Sequence, residues 1–278
     1  MIEDNERYDR QISFFGAAGQ DRIRKTAVGI VGLGGLGSHL AQQLAYLGIT
    51  TFVLVDADPT SPHSLNRQIT AYPDDVGTLK VGLAERMIRA IAPSASVNAV
   101  PQLLPHPDAL TALSAVDLLL GGLDHDLPRL QLTDLASENK IAYIDAATDI
   151  HGSGDNLIYG GRVVTAGVSP GCLYCLGQLD ADAIRHATQT PEQRATEADI
   201  YGVPVEELQA ATGPSVVTIN GLVASLAATE AMVHITGLRP ARNHLVYRGD
   251  QGMVRINTDA PNGNDCAYCF RWLDRPIG

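Results

Sequence analysis

Cysteine, positive charge and unbroken apolar sequence are all scarce in this chain of 278 residues. Cysteine occurs 4 times, Lys and Arg together number 20 against 31 Asp and Glu, and the formal net charge is -11. So few cations argue against a general nucleic-acid-binding role, because phosphate backbones require clustered positive charge. Any phosphate chemistry must therefore rest on a few placed cations. The longest apolar stretch, residues 216–235, is interrupted by Thr218, Asn220, Ser225, Thr229, Glu230 and His234 and reads as a buried helix, not a membrane span. Residues 1–11 are charged and polar with no apolar core, so no signal peptide is expected, and reduced, metal-binding cysteines make the cytoplasm the expected compartment.

The cysteines fall into two Cys-x-x-Cys pairs, Cys172 with Cys175 and Cys266 with Cys269. Thiolates so spaced on a tight turn can face one metal, and a second pair completes the soft four-sulfur shell that zinc prefers. Two disulfides or free buried thiols are the alternatives. A redox role fits less well, because Pro170 and Gly171 introduce a loop knuckle. Four protein ligands leave no open position for substrate, so the zinc is expected to be structural. It would also consume every thiol in the chain, leaving none for covalent catalysis.

Strand and helix signals alternate through the first half. Apolar runs at 27–31, 51–56, 97–100, 117–121 and 141–145 alternate with helical patterns at 38–47, 80–91 and 127–139. That rhythm predicts an α/β fold with a Rossmann-like, doubly wound, mainly parallel sheet. In the second half, residues 156–159 and 162–165 flank Gly160-Gly161, and 244–247 and 253–257 flank Gly249-Asp250-Gln251-Gly252. Both read as hairpins whose antiparallel strands extend the sheet. The polar, weakly periodic stretch 185–213 reads as a mobile loop or a crossover segment. We expect one domain over 1–278: a helical arm at 1–26, a nucleotide-binding half at 27–150, and an antiparallel half at 151–278 carrying the zinc knuckles.

The turn Gly32-Leu33-Gly34-Gly35-Leu36-Gly37 joins the first strand to the first helix of that alternation, and Asp56 closes the next strand 19 residues after Gly37. Glycines there admit a ligand to the backbone and the helix N-terminus, and the carboxylate accepts hydrogen bonds from a ribose. Alone, this pattern favours NAD. The surrounding residues favour a triphosphate: Asp58, Ser64-Leu65-Asn66-Arg67, Lys80 and Asp124 follow, and Arg7-Tyr8-Asp9-Arg10 stands near the N-terminus. A dinucleotide does not call for three cations and a metal-binding carboxylate, whereas a triphosphate with magnesium does. Taken singly, Arg10, Arg67 and Arg129 are also readable as surface or capping cations, Lys80 as a helix-start lysine, and Asp124 as a helix N-cap.

Taken together and in this order, the motifs resemble the ThiF, MoeB and HesA adenylyltransferases, which share a superfamily with ubiquitin-activating enzymes. The resemblance runs from Arg7 to Cys269. It implies an enzyme that uses ATP and magnesium to adenylate the C-terminal glycine of a ubiquitin-like or sulfur-carrier protein, working as a homodimer. It further implies that Gly34, Gly35, Gly37, Asp58 and Ser64 line the nucleotide, that Asp56 holds the ribose, and that Arg67 and Lys80 bind phosphates. Arg10 would reach across the dimer interface, and Asp124 would hold magnesium. Two residues depart from the family pattern: Ser64 replaces a usual Asn, and His125 follows Asp124 where Asn is common. Family members that pass the acyl group to a cysteine of their own carry it on the crossover segment, which has none here. The acyl-adenylate is therefore expected to go to an external sulfur donor or to a cysteine of a separate conjugating enzyme. An NAD-dependent oxidoreductase and a non-catalytic, zinc-stapled nucleotide-binding protein are the competing readings.

Overall fold

The computed structural model describes residues 4–169, 171–190, 213–258 and 266–273. Its centre is one eight-stranded sheet in the order β3-β2-β1-β4-β5-β6-β7-β8. The parallel strands are β1 (Ala27–Val31), β2 (Thr51–Val55), β3 (Ser96–Val100), β4 (Leu118–Gly121) and the first part of β5 (Ala142–His151). Then β6 (Ile158–Ala166), β7 (His244–Arg248) and β8 (Met253–Ile256) continue the sheet antiparallel.

Helices cover both faces, as a mainly parallel sheet requires. One face carries α2 (Gly35–Leu47), α3 (Lys80–Ile91) and α7 (Val217–Thr236), which bury Leu40, Leu44, Ile88, Val223 and Ala227 against Ile30, Leu54 and Ile144. The opposite face carries α4 (Pro107–Leu113), α5 (Asp126–Glu138) and the short α8 (Ala267–Leu273), which bury Leu113, Leu132 and Trp272 against Val31, Leu119 and Tyr143. The same core includes Cys172, Cys266 and Cys269. The arm α1 (Asp4–Lys25) is broken at Gly16, where φ is 77° and ψ 162°. Its Arg22 Nε donates to the Ile235 carbonyl at 3.0 Å, capping the C-terminal end of α7. No helix among the described residues is long and apolar enough to cross a membrane.

The expected alternation is present, with two corrections. Gly160 and Gly161 do not form a hairpin turn; they lie inside β6, opposite Arg248 and Tyr247 of β7. A Cβ on Gly160 would stand 2.0 Å from the Tyr247 carbonyl oxygen, and one on Gly161 2.4 Å from that of Ala147, so the glycines serve close strand approach. The connection from β5 instead turns through residues 152–157, and β5 runs on past the expected Asp145 to His151. At the start of the polar stretch, α6 (Ala181–Thr188) is capped by Asp180, whose carboxylate accepts from the amides of Asp182 and Ala183. The remainder of that expected crossover segment, 191–212, lies outside the described residues.

Candidate functional site

Because β1, β2 and β4 are parallel, the loops that leave their C-terminal ends share one edge of the sheet, where open α/β sheets bind ligands. The glycine turn leaves β1, the Asp56 loop leaves β2, and the Asp124 loop leaves β4. Gly34 caps α2 without a side-chain hydrogen bond, which leaves the helix start available to an anion. A Cβ on Gly37 would lie 1.8 Å from the Gly32 carbonyl oxygen, and one on Gly35 would lie 2.2 Å from Asn220 Nδ2 and 3.2 Å from Arg67 Cδ. Neither position tolerates a side chain without movement.

Asp56 is buried and set by two backbone donors: Leu33 N–H to its Oδ2 at 2.7 Å and Asp58 N–H to its Oδ1 at 2.8 Å. Burial pushes its carboxyl above the usual range, opposed by the Lys80 ammonium and those two amides. Lys80 opens α3 and is held twice, its amide donating to the Asp58 carbonyl at 3.0 Å and its Nζ to Asp58 Oδ2 at 2.8 Å. The same Nζ is 3.9 Å from Asp56 Oδ1. Asp56, Asp58 and Lys80 thus form one cluster at the mouth of the site.

Arg67 lies against Gly35, and its Nη1 donates to the His63 carbonyl and, at 3.1 Å, to Asn66 Oδ1. Ser64 is buried and shares a hydroxyl hydrogen bond with Ser61 at 3.0 Å; its carbonyl accepts from Arg67 N–H at 3.0 Å. Asp124 is exposed, with His125 Nε2 at 3.8 Å from its Oδ1. It is not the N-cap of α5, since His125 holds that position. Arg10 stands exposed on α1. Among the described residues it enters none of the hydrogen bonds of this cluster.

The sequence reading missed Asn220. It is buried in the first turn of α7, accepts from Thr148 Oγ1 at 3.1 Å, donates to Ser215 Oγ at 3.0 Å, and packs on Gly35. A polar residue on an apolar helix was the available signal, and it served only to exclude a membrane span.

The four cysteines converge although the pairs are distant in sequence. Cys172 Sγ is 3.8 Å from Cys175 Sγ and 3.7 Å from Cys266 Sγ, Cys175 Sγ is 3.7 Å from Cys269 Sγ, and all four sulfurs lie within 4.8 Å of one another. A tetrahedron with metal–sulfur bonds of about 2.3 Å has edges of about 3.8 Å, so the spacing suits a four-thiolate centre. It is far beyond the roughly 2.05 Å of a disulfide. The sulfurs are positioned to bind a metal.

A sulfur carrier protein adenylyltransferase of Thermus thermophilus is 32% identical over 136 residues, 48% of this chain and 50% of that protein. The SAMP-activating enzyme E1 of Haloferax volcanii is 31% identical over 144 residues, 51% of this chain and 53% of that one. A Drosophila virilis protein named adenylyltransferase and sulfurtransferase MOCS3 is 26% identical over 274 residues, 95% of this chain and 54% of that one. The chain spans about half the length of these curated relatives. Among solved structures, E. coli MccB with ATP matches at a TM-score of 0.70 and 20% identity, over 96% of this chain and 75% of that one. PaaA matches at 0.66 and 20% identity, over 92% and 73%. At such identity the likeness is one of fold. With residues 8–267 matched by the model of that family, the chain belongs to the ThiF family.

Proposed function

We propose that the protein adenylates the C-terminal glycine carboxylate of a ubiquitin-like or sulfur-carrier protein, using ATP with magnesium and releasing pyrophosphate. The observation that carries this reading is the convergence of the uncapped glycine turn, the Asp56–Lys80–Asp58 cluster and the exposed Asp124 on one sheet edge. Similarity to proteins named for adenylation of carriers supports it.

In this reading Gly34, Gly35 and Gly37 let the nucleotide approach the start of α2, and Asp56, fixed by two amides, accepts from the ribose hydroxyls. Ser64 and Asp58 line the same mouth. Lys80 and Arg67 supply cations for the phosphates, each exchanging a present protein partner for an anionic oxygen. Arg10 supplies a further cation to a partner subunit in a homodimer. The attacking carboxylate and the triphosphate are both anionic, so their repulsion must be cancelled before in-line attack. Asp124 would hold the magnesium ion, which when bound neutralises charge on the phosphates. No side-chain base is required, since the attacking carboxylate is ionised near neutral pH. The cysteine cluster would hold structural zinc, so the acyl-adenylate passes to a nucleophile on another molecule, a sulfur donor or a conjugating-enzyme cysteine.

ATP–pyrophosphate exchange with candidate carriers ending in Gly-Gly tests the proposal. Exchange should depend on the carrier and fall on the order of 10²-fold in Asp124→Ala, the loss typical of one preorganised charge-stabilising group. Carrier-independent binding of NAD, or undiminished exchange in Asp124→Ala, would overturn it.

A further inference from the structure

Beneath the loop that carries Asp124 runs a row of alternating charges between two parts of the chain distant in sequence. Asp145 on β5 is fully buried. Its Oδ1 accepts from the Tyr143 hydroxyl at 2.8 Å and lies 3.5 Å from Arg129 Nε; its Oδ2 accepts from Arg162 Nη1 at 2.6 Å. Arg129 in turn donates through Nη1 to Asp126 Oδ1 at 2.8 Å and through Nη2 to the Leu123 carbonyl. Those two partners bracket Asp124. At the other end, Arg162 Nη2 donates to the Gln178 carbonyl at 3.0 Å, just past the Cys172–Cys175 turn. Asp126 Oδ2 closes the circuit by accepting from Asp180 N–H at 2.9 Å.

A buried ion set of this kind is a poor way to gain stability, because apolar residues of similar volume commonly do as well or better. Its value is then geometric. The end of β4 is shaped around it: a Cβ on Gly121 would stand 2.6 Å from the Tyr143 hydroxyl and 3.2 Å from Asp145 Oδ1. The row is also self-neutral, two carboxylates alternating with two guanidinium groups, so no charge is left over to seek a partner elsewhere.

We infer that Asp145 is a positioning residue, which through Arg129 and Arg162 fixes the backbone of residues 123–126 against the cysteine turn and so sets the placement of the Asp124 carboxylate. The inference rests on the proposed role of Asp124 for its functional consequence, but the positioning is testable without it. Among the described residues only His125 comes close to the Asp124 carboxylate, so the aim of Asp124 depends on the loop beneath it.

The experiment uses the full chain with metal content measured, and compares the parent with Asp145→Asn and Tyr143→Phe. Manganese binding in the presence of ATP, followed by the electron paramagnetic resonance of free Mn²⁺, should weaken about 10-fold or more in Asp145→Asn, as for loss of a group supporting a metal ligand. Tyr143→Phe should shift it in the same direction and less. ATP binding without metal should be unchanged in both. Amide hydrogen exchange across residues 123–126 should accelerate in Asp145→Asn. If Asp145→Asn folds poorly, Arg162→Lys, which keeps the charge but not the reach to Gln178, carries the same two measurements. Parental Mn²⁺ affinity together with parental exchange protection in a folded variant would overturn the inference. A parent that binds no ATP–metal complex removes the adenylation reading instead, and exchange protection of 123–126 still decides the positioning role.

Discussion

The parallel and antiparallel parts of the sheet are continuous in hydrogen bonding and unlike in how they are secured. Strands β1, β2 and β4 are almost entirely buried between helices, so ordinary apolar packing holds them and the loops at their ends. On the far side β8 is exposed along its whole length, and β7 buries only His244 and Leu245. That side relies on discrete fasteners. Glu230, buried in α7, accepts from Arg239 Nη2 at 2.6 Å and from the Arg242 amide at 2.7 Å, holding the connection into β7. At the junction of the two parts, Trp272 of α8 donates to the Ile141 carbonyl at 2.9 Å just before β5 and packs on Gly167 just past β6, and the four cysteines tie the turn that follows β6 to the start of α8. A sheet short of apolar cover can be completed by staples, each of which is a single point of failure.

With the proposed metal bound at the cysteine cluster, the largest expected effect follows from removing it by chelation or by Cys266→Ser. Hydrogen exchange should rise in β6, β7 and α8 while β1, β2 and β4 stay protected. Small zinc domains gain roughly 10–16 kcal/mol from their metal, an upper bound here because the parallel half has its own core. Equal loss of protection in both halves would erase the contrast. Next in size is Trp272→Ala, expected to cost about 3–5 kcal/mol in urea unfolding, against about 0.5–1.5 kcal/mol for Ile88→Val in the apolar core opposite. A Trp272 loss no larger than that of Ile88 would show that the fastener does little.

Acid stability gives a finer comparison, because each side carries a histidine, half-buried His39 and buried His244, whose pKa is lowered from its ordinary value. His39 on α2 is lowered by burial, and His244 on β7 by burial and by the nearby Arg162 charge. For a group lowered in the folded state, the unfolded chain binds more protons as pH falls. The associated stability is therefore present above pH 6.5 and lost as pH drops through the folded value. Replacing each histidine by Asn should flatten the pH dependence of the melting temperature below that point, and the two variants apportion the slope between the halves. The smallest effect belongs to Val254→Ser on exposed β8, expected to stay within about 0.5 kcal/mol of the parent. A larger loss would reveal packing on β8 that the single chain lacks.

How far the sequence could be read follows the same division. The bounds of β1 and α3 were legible to the residue, and Asp56, Lys80 and Asp58 fell together as their positions at βα junctions implied. Gly160-Gly161 misled because a glycine pair signals a turn and a close strand approach equally well. Asp145 and Arg162 carried no signal, since a charge inside an apolar strand is uninformative until its partner is known. Arg129, taken alone, read as a surface or capping cation, yet its side chain is buried against Asp145. Asn220 was visible only as an interruption of an apolar run.

The sequence by itself determined the alternation of strands and helices from β1 to β5 apart from α4, the glycine turn, the residues at the ends of β1, β2 and β4, and two cysteine pairs. Those follow from periodicity and short spacing, which act through neighbouring backbone geometry. Only the tertiary structure decided that the four sulfurs meet at 3.7–3.8 Å between near neighbours, that Asn220 closes on Gly35, and that Asp145 joins two arginines from different elements. These are contacts between residues far apart in the chain. Their geometry is fixed by how whole layers pack, and no local pattern encodes it.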